Sequence, residues 1–200
     1  MNGKKIEEKM NNPKEYYKAT MNKPVSSIIS KFFNNKYNEK LTGNIAVDLG
    51  CGTGNDTEFL ISKGFKVTAI DSENQVRDIL DRKIINKANL NVIIDDFSKI
   101  EIPRADLILA NMSLFFVKDN FDKFLKNILE RINKKGFIVA NFLGKEDDWN
   151  GIKTTIEKEK LLGYFKDFEI NYYSEEKYYR NTALGKNKFW HVYTKIAQAK

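Results

Sequence analysis

The stretch that decides the fold reads Val47-Asp48-Leu49-Gly50-Cys51-Gly52-Thr53-Gly54-Asn55. An apolar run, Ile45–Leu49, leads into it and an amphipathic run, 57–63, leads out of it, so the glycines join a strand to a helix. Glycine lacks a Cβ, which lets a ligand approach the backbone closely, and the first turn of a helix carries unpaired N–H groups. The position between strand and helix therefore predicts a ligand-binding turn.

Apolar runs and amphipathic runs alternate along the rest of the chain. Strands are predicted at 66–70, 91–94, 106–110 and 137–141, and helices at 74–85 and 121–132, the latter ended by Gly136. A helix at 154–162 precedes two further strands, 168–173 and 188–197. Their connection, 174–187, lacks a helical pattern, so we expect an antiparallel hairpin at one edge. The alternation predicts an α/β fold with a mostly parallel sheet.

The first 42 residues stand apart from this alternation. They look mainly helical, and Pro13 and Pro24 break them into pieces. We therefore expect an N-terminal helical arm at 1–42 joined to a main domain at 43–200, the two forming a single domain overall.

Composition restricts the class of protein. Of the 200 residues, 42% are hydrophobic, which is enough for one core, and no run of about 18 apolar residues appears. The first ten residues hold lysine and glutamate without an apolar stretch, so we expect no signal peptide and a cytoplasmic protein that does not bind a membrane. With one cysteine and one histidine, we expect neither an internal disulfide nor a metal site.

The positive charge lies at the two ends of the chain. The formal net charge is +7, made up of +5 over residues 1–42, −2 over 43–173 and +4 over 174–200. A basic face can attract nucleic acid. However, only 5 of the 34 basic residues are arginine, the side chain best suited to phosphate. A solvated, lysine-rich surface is the favoured interpretation, and a nucleic-acid partner is not expected.

Two ligand classes compete for the glycine turn. A dinucleotide fold requires Gly-x-Gly-x-x-Gly, and the sixth position counted from Gly50 is Asn55. The carboxylate of Asp48, which directly precedes the glycines, suits a cation better than a pyrophosphate. S-adenosylmethionine carries an ammonium and a sulfonium and has no phosphate, so the charge favours this methyl donor. The alternative without a ligand is a tight turn alone.

Three further positions follow later strands. Asp71, 19 residues after Gly52, can accept hydrogen bonds from both ribose hydroxyls. After the third strand, Asp95-Asp96-Phe97 offers a carboxylate for the adenine amino group, and Asp96 is preferred because Phe97 can then pack beside the base. Asn111 follows the fourth strand and would face the ligand at the carboxyl ends of the strands.

These residues together resemble the motifs of class I S-adenosylmethionine-dependent methyltransferases, over 44–141 with specific motifs and more loosely beyond. The resemblance implies a Rossmann-like sheet of seven strands in the order 3-2-1-4-5-7-6, with strand 7 antiparallel and helices on both faces. It implies S-adenosyl-L-methionine as the cofactor, with S-adenosyl-L-homocysteine as its product. The residues implied to bind it are Asp48, Gly50, Cys51 and Gly52 at the methionine part, Asp71 and Ser72 at the ribose, Asp96 and Phe97 at the adenine, and Asn111 at the floor.

Downstream segments resemble those of the small stand-alone enzymes of the tellurite-resistance and thiopurine type. They are Gly144, Asp147-Asp148-Trp149, Thr182-Ala183-Leu184-Gly185 and Lys188-Phe189-Trp190-His191. Small members of the class often use their N-terminal arm as a lid, which makes Tyr16, Tyr17 and Lys23 candidates for closing over the site.

The class implies direct transfer of a methyl group from the sulfonium to a nucleophile, for which alignment of the two is enough. We therefore assign no catalytic residue. His191 is either a general base or, as we prefer, a packed residue of its strand.

The segment after the fourth strand bears on the methyl acceptor. Asn111-Met112-Ser113-Leu114 lacks the Asn-Pro-Pro-Tyr pattern used by many enzymes that methylate exocyclic amines of bases. A small-molecule acceptor is therefore expected. The alternatives are a methyltransferase for RNA or protein, motivated by the basic ends, and a non-catalytic module that binds S-adenosylmethionine.

Overall fold

A computed structural model describes residues 13–200 and contains one sheet of seven strands. The strands run in the order β3-β2-β1-β4-β5-β7-β6. Neighbouring strands are parallel from β3 to β5, and β7 is antiparallel to both β5 and β6. The order and directions implied by the resemblance are confirmed. The part of the predicted helical arm that falls on residues 1–12 lies outside the described residues.

The strands and helices have the following bounds. The strands are β1 Ile45–Leu49, β2 Lys66–Asp71, β3 Leu90–Ile94, β4 Ala105–Ala110, β5 Ile132–Leu143, β6 Phe168–Asn181 and β7 Asn187–Ala199. The helices are α1 Pro13–Thr20, α2 Ser27–Asn34, α3 Asn55–Ser62, α4 Gln75–Lys83, α5 Phe121–Glu130 and α6 Lys158–Tyr164. Short 3-10 turns lie at Tyr37–Lys40, Lys87–Asn89 and Leu114–Phe116. Within residues 13–200, no helix combines the length and apolar character needed to cross a bilayer.

Each face of the sheet is covered by its own set of helices, because alternate residues of a strand point to opposite faces. On one face, Phe124 and Leu125 of α5 and Leu161 of α6 pack into the core. On the other face the core includes Tyr17 of α1 and Phe32 of α2, together with residues of α3 and α4. All six residues of β4 are buried, as expected for a central parallel strand. The sheet therefore presents its carboxyl edge, and not a face, to ligands.

The last two strands are longer than predicted. β6 and β7 pair from Phe168↔Ala199 to Asn181↔Asn187, so the connection that we expected at 174–187 is mostly strand. The ladder between β5 and β7 ends at Leu143↔Val192, and the rest of the hairpin projects past the carboxyl edge. In that projecting part neither face is buried throughout, so the apolar alternation that marks a strand is lost.

Two other boundaries were predicted wrongly. β5 begins at Ile132, and Gly136 lies inside this strand at a register shift, so it does not end the preceding helix, which stops at Glu130. The last helix begins at Lys158 and not at 154. Residues just before it are held in an extended segment, since the Thr154 amide donates to the Phe115 carbonyl and the Ile156 amide to the Leu143 carbonyl.

A lysine lies inside the core formed with α6. Lys195 of β7 is fully buried, and its ammonium is 4.5 Å from the ring centre of Phe165 and 5.1 Å from that of Tyr173. Its Nζ has no hydrogen-bond partner among the described residues. Desolvation lowers the pKa of Lys195 from 10.5 to about 8. The two rings stabilise the charge only in part, so this lysine destabilises the fold at neutral pH.

We expect Lys195→Met to raise the free energy of unfolding at pH 7 by about 1–3 kcal/mol, since one pKa unit corresponds to about 1.4 kcal/mol. Between pH 8 and 10.5 the unfolded wild-type chain binds more protons than the folded chain, so wild-type stability rises with pH in that window. The variant lacks this rise. Urea unfolding at pH 7 and pH 10 measures both effects, and a variant less stable than wild type at pH 7 would contradict the prediction.

Candidate functional site

The glycine turn lies at the carboxyl edge of the sheet, between β1 and α3. The amides of Gly50 and Cys51 both donate to the Ile70 carbonyl of β2, at 2.8 and 3.1 Å. Gly50 and Gly52 adopt left-handed φ angles of 74° and 55°, which residues with a Cβ rarely adopt. The turn is therefore held against the neighbouring strand with its backbone in a conformation that requires glycine.

The two glycines have different surroundings. A Cβ built on Gly50 would lie 2.5 Å from the Cβ of Ser113, so this glycine makes room for a side chain of the protein itself. A Cβ built on Gly52 has the Tyr17 ring, at 3.9 Å, as its nearest neighbour. We expected both glycines to open the backbone to a ligand, and the free space lies at Gly52.

Asp71, at the end of β2, joins three parts of the site. Its Oδ2 accepts a hydrogen bond from the Gly52 amide at 2.9 Å. Its Oδ1 accepts from the Tyr17 hydroxyl and from the Glu73 amide, both at 3.1 Å. The carboxylate is thus bonded to the glycine turn, the N-terminal helix α1 and the loop after β2. Ser72 is next to it and exposed.

Asp48 is a buried carboxyl group beneath the turn. Its Oδ2 accepts a hydrogen bond of 2.6 Å from the hydroxyl of Thr57, on α3. Burial, followed by the negative charge of Asp56, raises the pKa of Asp48 from 3.8 to about 7, and the bond from Thr57 opposes that rise only in part. At neutral pH this group is close to half ionised.

Asp56 connects Asn111 to the N-terminal segment. Its Oδ1 accepts from the Ser26 amide at 2.7 Å, and its Oδ2 accepts from the Asn111 side-chain amide at 3.2 Å. Burial raises the pKa of Asp56, while the bonds from Ser26 and Asn111 lower it. Asn111 therefore lies at the same edge as the turn. Cys51 is buried there too, and burial raises the pKa of its thiol.

Asp96 and Phe97 lie at the neighbouring end of β3. The Asp96 carboxylate accepts from the amide and the hydroxyl of Ser98, at 3.0 and 2.6 Å, and forms an ion pair of 3.2 Å with Lys99. Desolvation opposes these bonds, but together they lower the pKa of Asp96. The Phe97 ring is buried, 5.6 Å from the ring of Phe124. Asp95 is exposed, and its carboxylate accepts from the Asp96 amide.

The N-terminal segment is bonded across the turn. Besides the Tyr17 contact, the Thr20 carbonyl accepts from the Thr53 hydroxyl at 3.2 Å and from the Asn55 side-chain amide at 3.0 Å. Of the three arm residues named from sequence, Tyr17 is the one that reaches a predicted site residue. The roles of Thr20, Ser26 and Asp56 were missed because their contacts span 30 residues or more and leave no local pattern. Thr57 was missed as well, although its partner Asp48 is only nine residues away.

His191 has both ring nitrogens occupied. Its Nδ1 accepts from the Glu146 amide at 3.2 Å, which places the ring proton on Nε2, 3.1 Å from a carboxylate oxygen of Glu175. The ring is 3% exposed and stands 4.9 Å from that of Tyr193. This arrangement is that of a packed, hydrogen-bonded side chain.

A buried ion pair fixes the loop after β5. Asp147 accepts hydrogen bonds from the Lys188 ammonium, from the Trp149 amide at 2.9 Å and from the His191 amide at 3.0 Å. The ammonium also lies 4.5 and 4.0 Å from the ring centres of Trp149 and Trp190. Trp149 in turn contacts Phe115, in the segment after β4, with ring centres 5.6 Å apart. The loop after β5 is therefore joined to the segment after β4 by aromatic contacts.

A cleft of about 770 Å³ lies between the loop after β3 and helix α5. Of the residues predicted to bind the cofactor, Asp96 alone lines it. The cleft is therefore separate from the group of hydrogen-bonded residues around Gly52 and Asp71.

The buried aspartates around the glycine turn fit a cationic ligand. Asp48, Asp56 and Asp71 are each at most 8% exposed. No salt bridge joins any of the three to a lysine or arginine within residues 13–200. Against the rise caused by burial, the charge of Lys83 lowers the pKa of Asp56, but Lys83 forms no salt bridge with it. Buried carboxylates that are not paired in a salt bridge are stabilised by a positive group and repel phosphate. An ammonium and a sulfonium meet this requirement and a pyrophosphate does not.

A family model described as tellurite resistance protein TehB matches residues 11–187. The ribosomal RNA small subunit methyltransferase A of Mesomycoplasma hyopneumoniae is 36% identical over 109 residues, which cover 47% of this chain and 42% of that protein. The probable S-adenosyl-L-methionine-dependent methyltransferase TehB of Haemophilus influenzae is 26% identical over 135 residues, covering 64% of this chain and 47% of that protein. The matches span less than half the length of these relatives.

A solved structure has the same fold. The crystal structure of TehB from Haemophilus influenzae aligns with a TM-score of 0.70 at 19% identity, covering 86% of this chain and 61% of that chain.

The raised pKa of Asp48 yields a stability prediction. Between about pH 4 and 7 the folded chain binds more protons than the unfolded chain, so the free energy of unfolding falls as the pH rises through that window. We expect Asp48→Asn to raise the free energy of unfolding at pH 8 by about 1–3 kcal/mol, since one pKa unit corresponds to about 1.4 kcal/mol. Urea unfolding of both proteins at pH 5 and pH 8 tests this. A variant that is less stable at pH 8 would refute the account of this carboxyl group.

Proposed function

This chain belongs to the TehB tellurite resistance family of class I S-adenosylmethionine-dependent methyltransferases, and from that membership we propose that it transfers a methyl group to a small-molecule nucleophile. The observation that carries the proposal is a set of buried carboxyl groups, Asp48, Asp56 and Asp71, around a glycine turn that is open at Gly52. Within residues 13–200 none of the three forms a salt bridge. Such a site selects a positively charged nucleoside over a dinucleotide.

The residues that would hold the cofactor are those that the sequence predicted at the carboxyl edge. In this proposal the methionine part lies near Asp48, Gly50, Cys51 and Gly52, the ribose near Asp71 and Ser72, the adenine near Asp96 and Phe97, and Asn111 lies beneath. The support for it is that β1, β2, β3 and β4 end side by side, which brings these positions to one edge.

The chain contributes to the reaction by aligning the methyl donor with the acceptor. S-adenosylmethionine, when bound, supplies a methyl group on sulfonium, which is a good leaving group. In this proposal the acceptor lies against the aromatic cluster of Phe115 and Trp149, which the ion pair of Asp147 and Lys188 supports. Orientation of an acceptor in such a site is worth roughly 7–11 kcal/mol. His191 is not a free base, since both of its ring nitrogens are bonded. An acceptor that is already nucleophilic, such as a thiolate or another soft anion, suits this site.

The arm 1–42 acts as the lid in this proposal. The bonds of Tyr17 and Thr20 to Asp71, Thr53 and Asn55 support that role, because they hold α1 across the turn. A closed arm would exclude water and confine the acceptor to the space between α1 and the loops after β4 and β5.

RNA is the second candidate acceptor. The similarity to a ribosomal RNA methyltransferase and the basic ends of the chain favour it. Against it stands the segment Asn111-Met112-Ser113-Leu114, which lacks the proline and tyrosine typical of enzymes that methylate exocyclic amines of bases. A small acceptor therefore remains the preferred substrate class.

We expect Asp71→Ala to weaken S-adenosylhomocysteine binding by more than about tenfold, because a charged hydrogen-bond acceptor of the ribose is lost. Asp78→Ala, at an exposed position of α4, is the matched control and keeps wild-type affinity. Isothermal titration calorimetry gives the dissociation constants, and circular dichroism checks that both variants fold. Wild-type affinity in a folded Asp71→Ala protein would show that the ribose lies elsewhere.

Transfer of a labelled methyl group from S-adenosylmethionine tests the activity and the acceptor class together. The panel consists of small thiols, the oxyanions tellurite and selenite, and bulk RNA, assayed with the full chain and with a chain lacking residues 1–24. We expect methylation of a small acceptor by the full chain, and a larger loss of turnover than of thermal stability on truncation. Methylation of RNA but of no small acceptor would reject the preferred substrate class in favour of RNA. Binding of the cofactor without turnover on any acceptor would indicate a non-catalytic module.

A further inference from the structure

A buried serine next to the glycine turn has an unused hydroxyl. Ser113 follows β4 and is 4% exposed, and its Oγ has no hydrogen-bond partner within residues 13–200. A buried hydroxyl without a partner is unfavourable, and native proteins pair nearly all such groups. A ligand can supply the missing partner where such a hydroxyl lies at a ligand site, which the position of Ser113 must decide.

The backbone conformation before this serine is also unfavourable. Met112 has a φ of 54°, in the left-handed region that side chains other than glycine seldom adopt. Such conformations are retained where the surrounding structure requires them, often at ligand sites. Here the conformation directs the chain after β4 so that Ser113 lies against the turn.

The neighbours of Ser113 identify which part of a ligand it meets. A Cβ built on Gly50 would lie 2.5 Å from Ser113 Cβ, 3.3 Å from Ser113 Oγ and 3.7 Å from a ring carbon of Phe97. The hydroxyl is therefore close both to the turn and to Phe97, the residue proposed at the adenine. A ligand that crosses from one to the other passes this hydroxyl with its nucleoside part.

We propose that Ser113 Oγ hydrogen-bonds the nucleoside part of the bound cofactor. A hydroxyl both donates and accepts, so a ribose oxygen or a ring nitrogen of the base satisfies it. Gly50 is then required because a side chain there would displace Ser113, and not because the ligand needs space at that position. This inference rests on the proposed function.

The chain provides a matched control. Ser174 Oγ is also buried without a hydrogen-bond partner among the described residues, but Ser174 is on β6. That strand is three steps from β4, or about 14 Å at roughly 4.8 Å per strand. Replacing either serine with alanine removes one unpaired hydroxyl, and only one of the two lies at the proposed site.

The experiment compares Ser113→Ala, Ser174→Ala and wild type. Calorimetry measures the affinities for S-adenosylhomocysteine and for 5′-deoxy-5′-methylthioadenosine, which has the nucleoside but lacks the amino acid. We expect Ser113→Ala to weaken both ligands equally, by about three- to tenfold, and Ser174→Ala to leave both unchanged. Without ligand, we expect neither variant to melt below wild type, since an unpaired buried group has been removed.

Each other outcome overturns the inference. Wild-type affinity in Ser113→Ala means that the hydroxyl does not contact the ligand, and a loss for S-adenosylhomocysteine alone moves the contact to the amino acid. A lower melting temperature of ligand-free Ser113→Ala, with equal losses in both serine variants, assigns the hydroxyl a structural role. If wild type binds neither nucleoside, the proposed function itself fails, which separates that failure from a failure of this inference.

Discussion

Three carboxyl groups buried at one edge of the sheet, none of them in a salt bridge in the described part of the chain, are the constraint around which this protein is arranged. Each binds a different part of the molecule. Asp71 bonds the glycine turn and α1, Asp56 bonds the segment after α1 and Asn111, and Asp48 bonds α3. Desolvation by burial, followed by the charge of Asp56, raises the pKa of Asp48, which reflects the cost of placing these groups together inside the fold. A cationic ligand removes the cost, so binding and stability are coupled at this edge.

The sequence predicted those features that depend on local pattern. The apolar runs located all seven strands, and the resemblance supplied their order. Asp48, Asp71, Asp96 and Asn111 were each expected at the end of a strand, and each lies within a strand's last two residues or within two residues after it. The projecting hairpin and the start of β5 were misjudged, because polar and aromatic residues in a half-exposed ladder lose the alternation of a buried strand.

Contacts between distant residues account for what the sequence could not predict. Tyr17 and Asp71 are 54 residues apart, and nothing in either segment indicates that they meet. Gly50 looked like a glycine that admits a ligand, yet the space in front of it is filled by Ser113. His191 was a candidate base until both of its ring nitrogens had partners. Such roles depend on tertiary packing, which spacing along the chain does not encode.

The central claim is that the acidic edge selects a cationic nucleoside over a dinucleotide. Calorimetric titration of the wild-type chain at pH 8 with S-adenosylmethionine, and separately with NADH, tests it most directly. The account predicts saturable one-to-one binding of S-adenosylmethionine and no measurable heat of binding for NADH. Binding of NADH with none of S-adenosylmethionine would contradict it.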